Sequence, residues 1–403
     1  MRRVVITGAG TINALGRDVA ETCDAFKAGR SGIVELQFED SDRLSIRQGA
    51  QVQGYDPTAY FDRQQIALFD RYTQFALLAA EQAIAQSGLT FEGALAERAG
   101  AVLGNSGGGL ITQNDAFRAV FAEGKNRVHP FTVPKLMNNA AASHISMQHN
   151  LRGPTFTVST ACASANHAMG QAFSMIRSGM SEVMLTGGAE SMLCFGGIKA
   201  WEGLRVMTHD AMRPFSANRS GMLQGEGAAV FVFEELEHAR ARGAEILAEV
   251  AGFAMSADAS DIVKPARHGP VRAIAGALKD ARLDPSEVGY INAHGTATEI
   301  NDRVECAAIA EVFGPAAQQV MLSSTKAMHG HVIGGTGAIE LLACLLALGG
   351  GVIAPTINYQ QPDPNCPLDV VPNEARQAPV TAVLSNAFAF GGLNAVLALR
   401  KAP

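Results

Sequence analysis

Thr155-Phe156-Thr157-Val158-Ser159-Thr160-Ala161-Cys162-Ala163-Ser164-Ala165 is the stretch on which the reading of this chain turns. Its first four residues are β-branched and apolar, a strand signature, and they run into a knot of small residues. From Ala163 to Ile176, residues Ala168, Met169, Ala172, Phe173 and Ile176 recur at helical spacing. The pattern predicts a buried strand that delivers one thiol to the start of a helix. Orphan backbone N–H groups and the helix dipole favour an anion at that point, so the thiol is expected to lean towards thiolate. Small neighbours leave space above the sulfur for a substrate. The competing reading is a structural cysteine, because free Cys is among the most buried residue types.

Working outward, short β-rich runs recur at Val4–Thr7, Ala101–Leu103, Phe156–Ser159, Val183–Thr186 and Ala229–Phe233. A second set follows at Ile246–Val250, Tyr290–Ala293, Val320–Ser323, Ala382–Leu384 and Ala395–Leu399. Amphipathic segments lie between them at Gln74–Ser87, Asn166–Ser178, Val271–Ala281, Asp302–Val312 and Ile339–Leu348. This alternation predicts an α/β architecture with mostly buried sheets. The two sets run in similar order, and charge rises between them at Glu234, Glu235, Glu237, Arg240 and Arg242. Two related halves packed as one unit are expected, residues 1–245 and 246–403. The N-terminal Gly8-Ala9-Gly10 invites a dinucleotide-binding reading, but that fingerprint needs a third glycine at position 13, which is Asn13. A tight strand-to-loop turn is expected instead.

Composition narrows the function classes. The 403 residues are 47 % hydrophobic, enough for a large core or two similar lobes. A formal charge of −6 and a pI near 5.9 argue against a nucleic-acid binder. Cys23, Cys162, Cys194, Cys306, Cys344 and Cys366 form no C-x-x-C pair and no cluster with histidine, which points away from zinc and from a disulfide scaffold. A reducing, cytoplasmic setting is expected, and Val4-Val5-Ile6 enters a strand so early that no signal peptide is expected. Val332–Ala354 is apolar enough to suggest a membrane span. Glu340 in its middle and its many glycines predict a buried core helix and a Gly-rich turn instead.

Three later segments bear on Cys162. Asn292-Ala293-His294-Gly295-Thr296-Ala297-Thr298 follows a strand-like run, and a histidine at a strand end is where α/β proteins place functional groups. Ser323-Ser324-Thr325-Lys326-Ala327-Met328-His329-Gly330-His331 follows another strand and leads into Gly334-Gly335-Thr336-Gly337-Ala338-Ile339-Glu340. Asn386-Ala387-Phe388-Ala389-Phe390-Gly391-Gly392-Leu393-Asn394 is an aromatic and glycine loop between two strands. Each alone is weak. Together they offer a thiol, two imidazoles, a lysine–carboxylate pair and a Gly-flanked aromatic gate. That set suits carbon–sulfur acyl chemistry, in which a thiolate takes an acyl group and N–H donors hold developing oxyanions.

With these segments, Arg213-Pro214-Phe215-Ser216 and Gly221-Met222-Leu223-Gln224-Gly225-Glu226-Gly227-Ala228, the chain resembles the β-ketoacyl-acyl-carrier-protein synthases II. These are elongating condensing enzymes of the thiolase superfamily. Ala161–Ala168 and Ile198-Lys199-Ala200-Trp201-Glu202 look most similar to nodulation protein E-like members. The resemblance implies a thiolase fold, two related βαβαβαββ halves in a layered α-β-α-β-α structure. It implies that Cys162 accepts an acyl chain from a carrier-protein phosphopantetheine thioester, and that a malonyl thioester is then decarboxylated and condensed with it. His294 and His331 would bond the malonyl thioester carbonyl, each through a protonated Nε2. Lys326, paired with Glu340, would position them. The N–H groups of Cys162 and Phe390 would form an oxyanion hole. Thr296 and Thr298 would hold the pantetheine arm, and Phe390, hinged by Gly391 and Gly392, would gate the cysteine.

The resemblance also implies no redox or metal cofactor, although a monovalent cation could sit near Asn292, Glu305, Ser385 and Asn386. It implies an acyl carrier protein as partner and a homodimer, with a heterodimer alongside a chain-length partner as the alternative. His329 stands where a threonine is common in the family and is expected to be structural. Asn105 and Gly108, in Gly104-Asn105-Ser106-Gly107-Gly108-Gly109-Leu110, fall in the acyl-pocket region of relatives. They are expected to shape that pocket for a non-standard chain. Arg63, Arg71 and Arg127 are the expected carrier-docking cations. A thiolase, or the catalytic subunit of a heteromeric polyketide or specialised-lipid synthase, is the alternative within the fold. A nucleotide-dependent oxidoreductase is excluded by the glycine spacing.

Overall fold

The computed structural model describes residues 1–403. All ten predicted strands are present: β1 (Val4–Asn13), β2 (Ala99–Gly104), β3 (Thr155–Val158), β4 (Val183–Glu190), β5 (Gly227–Glu235), β6 (Ala248–Ala257), β7 (Tyr290–Asn292), β8 (Met321–Ser323), β9 (Ala382–Ala389) and β10 (Leu393–Lys401). They form one continuous ten-stranded sheet in the order β8-β7-β9-β10-β6-β1-β5-β4-β2-β3. Read from either edge inward, the order is third, second, fourth, fifth and first strand of a set of five. The two sets join where β1 pairs antiparallel with β6 over Val4↔Val250, Val5↔Glu249 and Ile6↔Ala248.

In each half the outer three strands are parallel and the inner two antiparallel. The carboxyl ends of the parallel strands therefore open on one side, where α/β sheets commonly hold their ligands.

Helices cover the half-sheets in layers. α1 (Arg71–Ser87) packs outside β1 and β5, and α4 (His268–Ala281) packs outside β6 and β10. Between the half-sheets run α2 (Ser164–Ser178) and α6 (Thr336–Gly350), which touch each other and strands of both halves. This is the layered α-β-α-β-α thiolase fold. α3 (Phe195–Gly203) and α5 (Glu299–Phe313) flank the layers. The long apolar run near residue 340 is thereby explained: α6 is enclosed on every side, and a helix so enclosed is apolar all round.

Two expectations need correction. Gly8 and Gly10 do not make a strand-to-loop turn but lie inside β1, against α1. A Cβ on Gly8 would stand 2.1 Å from the Ala83 carbonyl oxygen, and one on Gly10 2.1 Å from that of Ala79. The pair lets a helix lie directly on the strand. The strand that leads to Cys162 is also not buried: β3 is the last strand of the sheet, paired only with β2, and Phe156 is 36 % exposed.

Candidate active site

Cys162 sits in a tight turn between β3 and α2. Ala161 takes φ 48°, the left-handed region, and Ser164 Oγ ties the turn by donating to Ala161 O at 2.7 Å and accepting from Thr160 N–H at 2.9 Å. The turn aims the thiol between the halves, where Sγ lies 3.1 Å from His331 Nε2. His294 completes the group, with one ligand-type atom from each of Cys162, His294 and His331 lying within 4.8 Å of the others. The imidazoles meet edge to face, centroids 5.7 Å apart.

The backbone holds each ring in place. Glu305 on α5 accepts the N–H groups of His294 and Gly295, both at 2.8 Å. His331 N–H donates to Leu223 O at 2.7 Å, and His331 Nδ1 meets Thr336 Oγ1 at 2.8 Å. Thr336 escaped the sequence reading, where it was only one residue of a glycine-rich turn. Lys326 Nζ pairs with Glu340 Oε1 at 2.6 Å, and both side chains are fully enclosed. His329 points elsewhere, its Nε2 2.9 Å from Thr325 Oγ1 and its ring edge-on to Phe26.

Burial dominates the electrostatics. It holds His294 and His331 well below the ordinary imidazole range, helped by the Lys326 charge and by a neighbouring imidazole, so both rings are neutral at physiological pH. Burial likewise pushes Glu340 up to about 7 against the pull of Lys326. For Cys162 the outcome reverses the expectation of a helix-start thiolate. Desolvation raises the thiol to about 11, more than Lys326 and the N–H groups of Phe390 and Cys162 itself pull it back. The resting nucleophile is a thiol, with an imidazole nitrogen beside it.

A cavity of about 330 Å³ leads to this group from the surface. Thr296 and Thr298 line it with their hydroxyls 2.9 Å apart, and Phe388 and Phe390 form part of its wall. Trp201, Arg205 and Lys264 line it as well, and no local signal in the sequence marked them.

Similarity to known proteins accords with this geometry. Residues 1–239 match the family described as "Beta-ketoacyl synthase, N-terminal domain", and residues 247–360 match its C-terminal domain. The chain belongs to the β-ketoacyl synthase family. It is 46 % identical over 400 residues to nodulation protein E of Rhizobium sp. (strain N33), with 99 % of both chains covered. It is 38 % identical over 407 residues to 3-oxoacyl-[acyl-carrier-protein] synthase 2 of Staphylococcus aureus (strain N315), covering 99 % of this chain and 98 % of the relative. Among solved structures it resembles "The ishigamide ketosynthase/chain length factor" (TM-score 0.95, 36 % identity). It also resembles a β-ketoacyl synthase from Burkholderia phymatum STM815 (TM-score 0.92, 34 % identity). Both chains are covered completely in each comparison. This ketosynthase is therefore an acyl-transferring condensing enzyme.

Other predicted residues of the ketosynthase fall in different places. Asn105 does not face the cavity: Nδ2 donates to Ala189 O at 2.6 Å and to Glu190 Oε1 at 3.0 Å, and Oδ1 accepts from Gly108 N–H at 2.6 Å. Gly108 closes that turn at φ 61° and lies outside the cavity wall as well. Within the chain this pair forms a loop clamp. Its organiser is Glu190, which the sequence reading missed. Glu190 also accepts from the N–H groups of Ser106, Gly107 and Gly334, and burial raises it to about 7.

Arg71 is likewise no docking cation. Its guanidinium is held by both Glu226 oxygens at 2.8 and 2.6 Å and lies over Tyr55 and Phe75. Arg63 and Arg127 are exposed but do not line the cavity, whereas the exposed Arg205 and Lys264 do.

The residues expected around a monovalent cation do cluster. Asn386 Nδ2 donates to Glu305 Oε1 at 3.1 Å, and the Oδ1 atoms of Asn292 and Asn386 are buried without a donor. Ser385, next in chain, is engaged by Asn166 Nδ2 through both its carbonyl and its hydroxyl. Unpartnered carbonyl-type oxygens beside a buried carboxylate suit a hard cation.

Proposed function

We propose that this ketosynthase performs the decarboxylative Claisen condensation of a malonyl thioester with an acyl chain held on Cys162, both substrates arriving on an acyl carrier protein. The observation that carries the reading is the convergence of one thiol and two neutral imidazoles at the floor of a cavity from the surface. In the first half-reaction Cys162 sulfur attacks the acyl thioester and the carrier's thiol leaves. His331 Nε2, at 3.1 Å, takes the cysteine proton and returns it to the departing sulfur. The Thr336 hydroxyl can donate to or accept from Nδ1, so it supports either tautomer of His331.

In the second half-reaction malonyl thioester loses carbon dioxide, and its electron pair becomes an enolate whose oxygen His294 and His331 bond through N–H. The carbanion carbon then attacks the acyl carbonyl, the C–S bond to Cys162 breaks, and the departing sulfur takes up a proton from solvent to restore the thiol. The N–H groups of Cys162 and Phe390, near the sulfur, hold the oxyanion of that step. Lys326–Glu340 sets the field around both imidazoles, and Thr296 and Thr298 hold the pantetheine arm. Asn292, Glu305, Ser385 and Asn386 would hold a monovalent cation, which would fix the backbone under His294.

The partner is proposed to be a second chain docked on the edge of β3. Phe156 on that edge and Met137 beside it are exposed, an apolar surface unsuited to water. A heterodimer is the second reading, favoured by the likeness to a ketosynthase/chain length factor structure. Light scattering of the purified chain separates the two: a dimer alone supports the first, and a monomer the second. For the reaction itself, malonyl-carrier decarboxylation and condensation are assayed with wild-type and Cys162→Ala protein. Condensation surviving in Cys162→Ala refutes the assignment.

A further inference from the structure

The one tryptophan of this chain lies in the catalytic cavity. Trp201 stacks on Phe390, ring centroids 5.9 Å apart and planes 21° from parallel. The two rings are mounted differently. α3, which carries Trp201, is tied down at the next residue: Glu202 accepts the N–H groups of Ser45 and Ile46 at 2.7 and 2.8 Å and pairs with Lys199 at 2.8 Å. Phe390 instead opens a turn in which Gly391 and Gly392 take φ 80° and 65°. Backbone rotation meets least steric resistance at such residues. Gly391 N–H donates to Ile262 O, and Gly392 O accepts from Asp258 N–H, each at 2.8 Å. Ile262 is itself 74 % exposed. One ring is fixed and the other is hinged.

Phe390 also carries a backbone N–H near enough to the Cys162 sulfur to pull its thiol down. Ring and N–H belong to one residue on one hinge, so swinging the ring aside withdraws the donor from the sulfur.

Resting on the condensing reaction above, we propose that Trp201 is a positioning residue that latches Phe390. The stack closes the acyl pocket and sets the Phe390 N–H in place for condensation. An incoming acyl chain must break it. The two half-reactions therefore want opposite states of the latch. Trp201→Ala is expected to speed acyl transfer to Cys162 and to slow condensation, each by about two- to ten-fold, the range that loss of one aromatic pair allows. Trp201→Phe, which keeps a stacking ring, restores both.

Wild-type protein supplies a readout that does not depend on any variant's folding, because all tryptophan emission comes from the latch. Octanoyl-pantetheine is added while acylation of Cys162 is followed by mass spectrometry and emission by fluorescence. A change in emission that tracks the acyl-enzyme, absent in Cys162→Ala, supports the latch. Complete acylation with unchanged emission overturns it, as does a Trp201→Ala protein that slows both half-reactions alike. If no acyl group appears on Cys162, the condensing reading fails, and the latch with it.

Discussion

In the N-terminal half, the turns at the ends of β2, β3 and β4 carry Asn105, Cys162 and Glu190; in the C-terminal half, those at the ends of β7, β8 and β9 carry His294, Lys326 with His331, and Phe390. The strands occupy equivalent places in the two sets of five, yet the side chains do different work. Asn105 and Glu190 spend their polar atoms on backbone N–H groups and carbonyls of the same loop cluster, leaving Cys162 as the reactive group of that half. The C-terminal turns bring two imidazoles to that sulfur, with Lys326 held on Glu340 and Phe390 on the wall of the same cavity. One internal echo remains: Glu190 gathers Ser106 and Gly107 N–H in one half, and Glu305 gathers His294 and Gly295 N–H in the other. The two halves thus share strand order and each holds a turn through a buried carboxylate, Glu190 at the end of β4 and Glu305 on α5, while the residues of the turns differ in chemistry.

If that division is right, His331→Ala should leave the fold intact and lower malonyl decarboxylation by about 10²- to 10⁴-fold, the usual worth of a positioned proton donor. Circular dichroism beside the decarboxylation assay checks it, and loss of fold would put His331 among the anchors.

Lys326→Met should destabilise the protein by about 3–5 kcal/mol at alkaline pH, because it leaves Glu340 buried without its partner. The loss should shrink at acid pH. Glu340 is raised to about 7 in the folded chain from an ordinary 4.5 even against the pull of Lys326, and further once Lys326 is gone, so the native state holds a proton there that the unfolded state gives up. Its protonated, neutral form is tolerated below that value, and stability is lost as pH rises through it. Denaturant melts at the two ends of that window test this; a pH-independent loss contradicts it.

Asn105→Ala should cost about 1–3 kcal/mol, the penalty of stranding the buried groups it satisfies, with chain-length preference unmoved. Competition between acyl chains of graded length decides this, since a shifted preference would return Asn105 to the pocket. The smallest change is expected from Thr336→Val. Losing one hydrogen bond to His331 should cost about 0.5–1.5 kcal/mol, seen as up to about ten-fold in kcat with KM held. Steady-state kinetics of condensation measure it.

Much of this molecule is local information. Short β-rich apolar runs located all ten strands and period-3.6 patterning the five predicted helices, because strands of a covered sheet are apolar on both faces and a packed helix on one. Helices Leu110–Phe121 and Ala140–His149 went unread, the former because it is largely surface and lacks a buried stripe. Cys162, His294 and Lys326 stood out as candidates because each closely follows a strand end, and the resemblance to the β-ketoacyl synthases supplied their roles and that of His331. The bond of Asn105 to Glu190 was not legible, because nothing in its neighbourhood of sequence announces a partner 85 residues away.

The sequence by itself determined the α/β alternation and the doubled order of elements, which depend on residue type and short spacing, while its resemblance to the β-ketoacyl synthases singled out the proposed reactive groups. Only the tertiary structure decided that Gly8 and Gly10 serve helix contact, that Arg71 belongs to Glu226 and that Trp201 meets Phe390. It also decided that Cys162 rests as a thiol raised to about 11. Those outcomes depend on desolvation and on partners distant in the chain. Both come into being only when the two half-sheets close around the central helices.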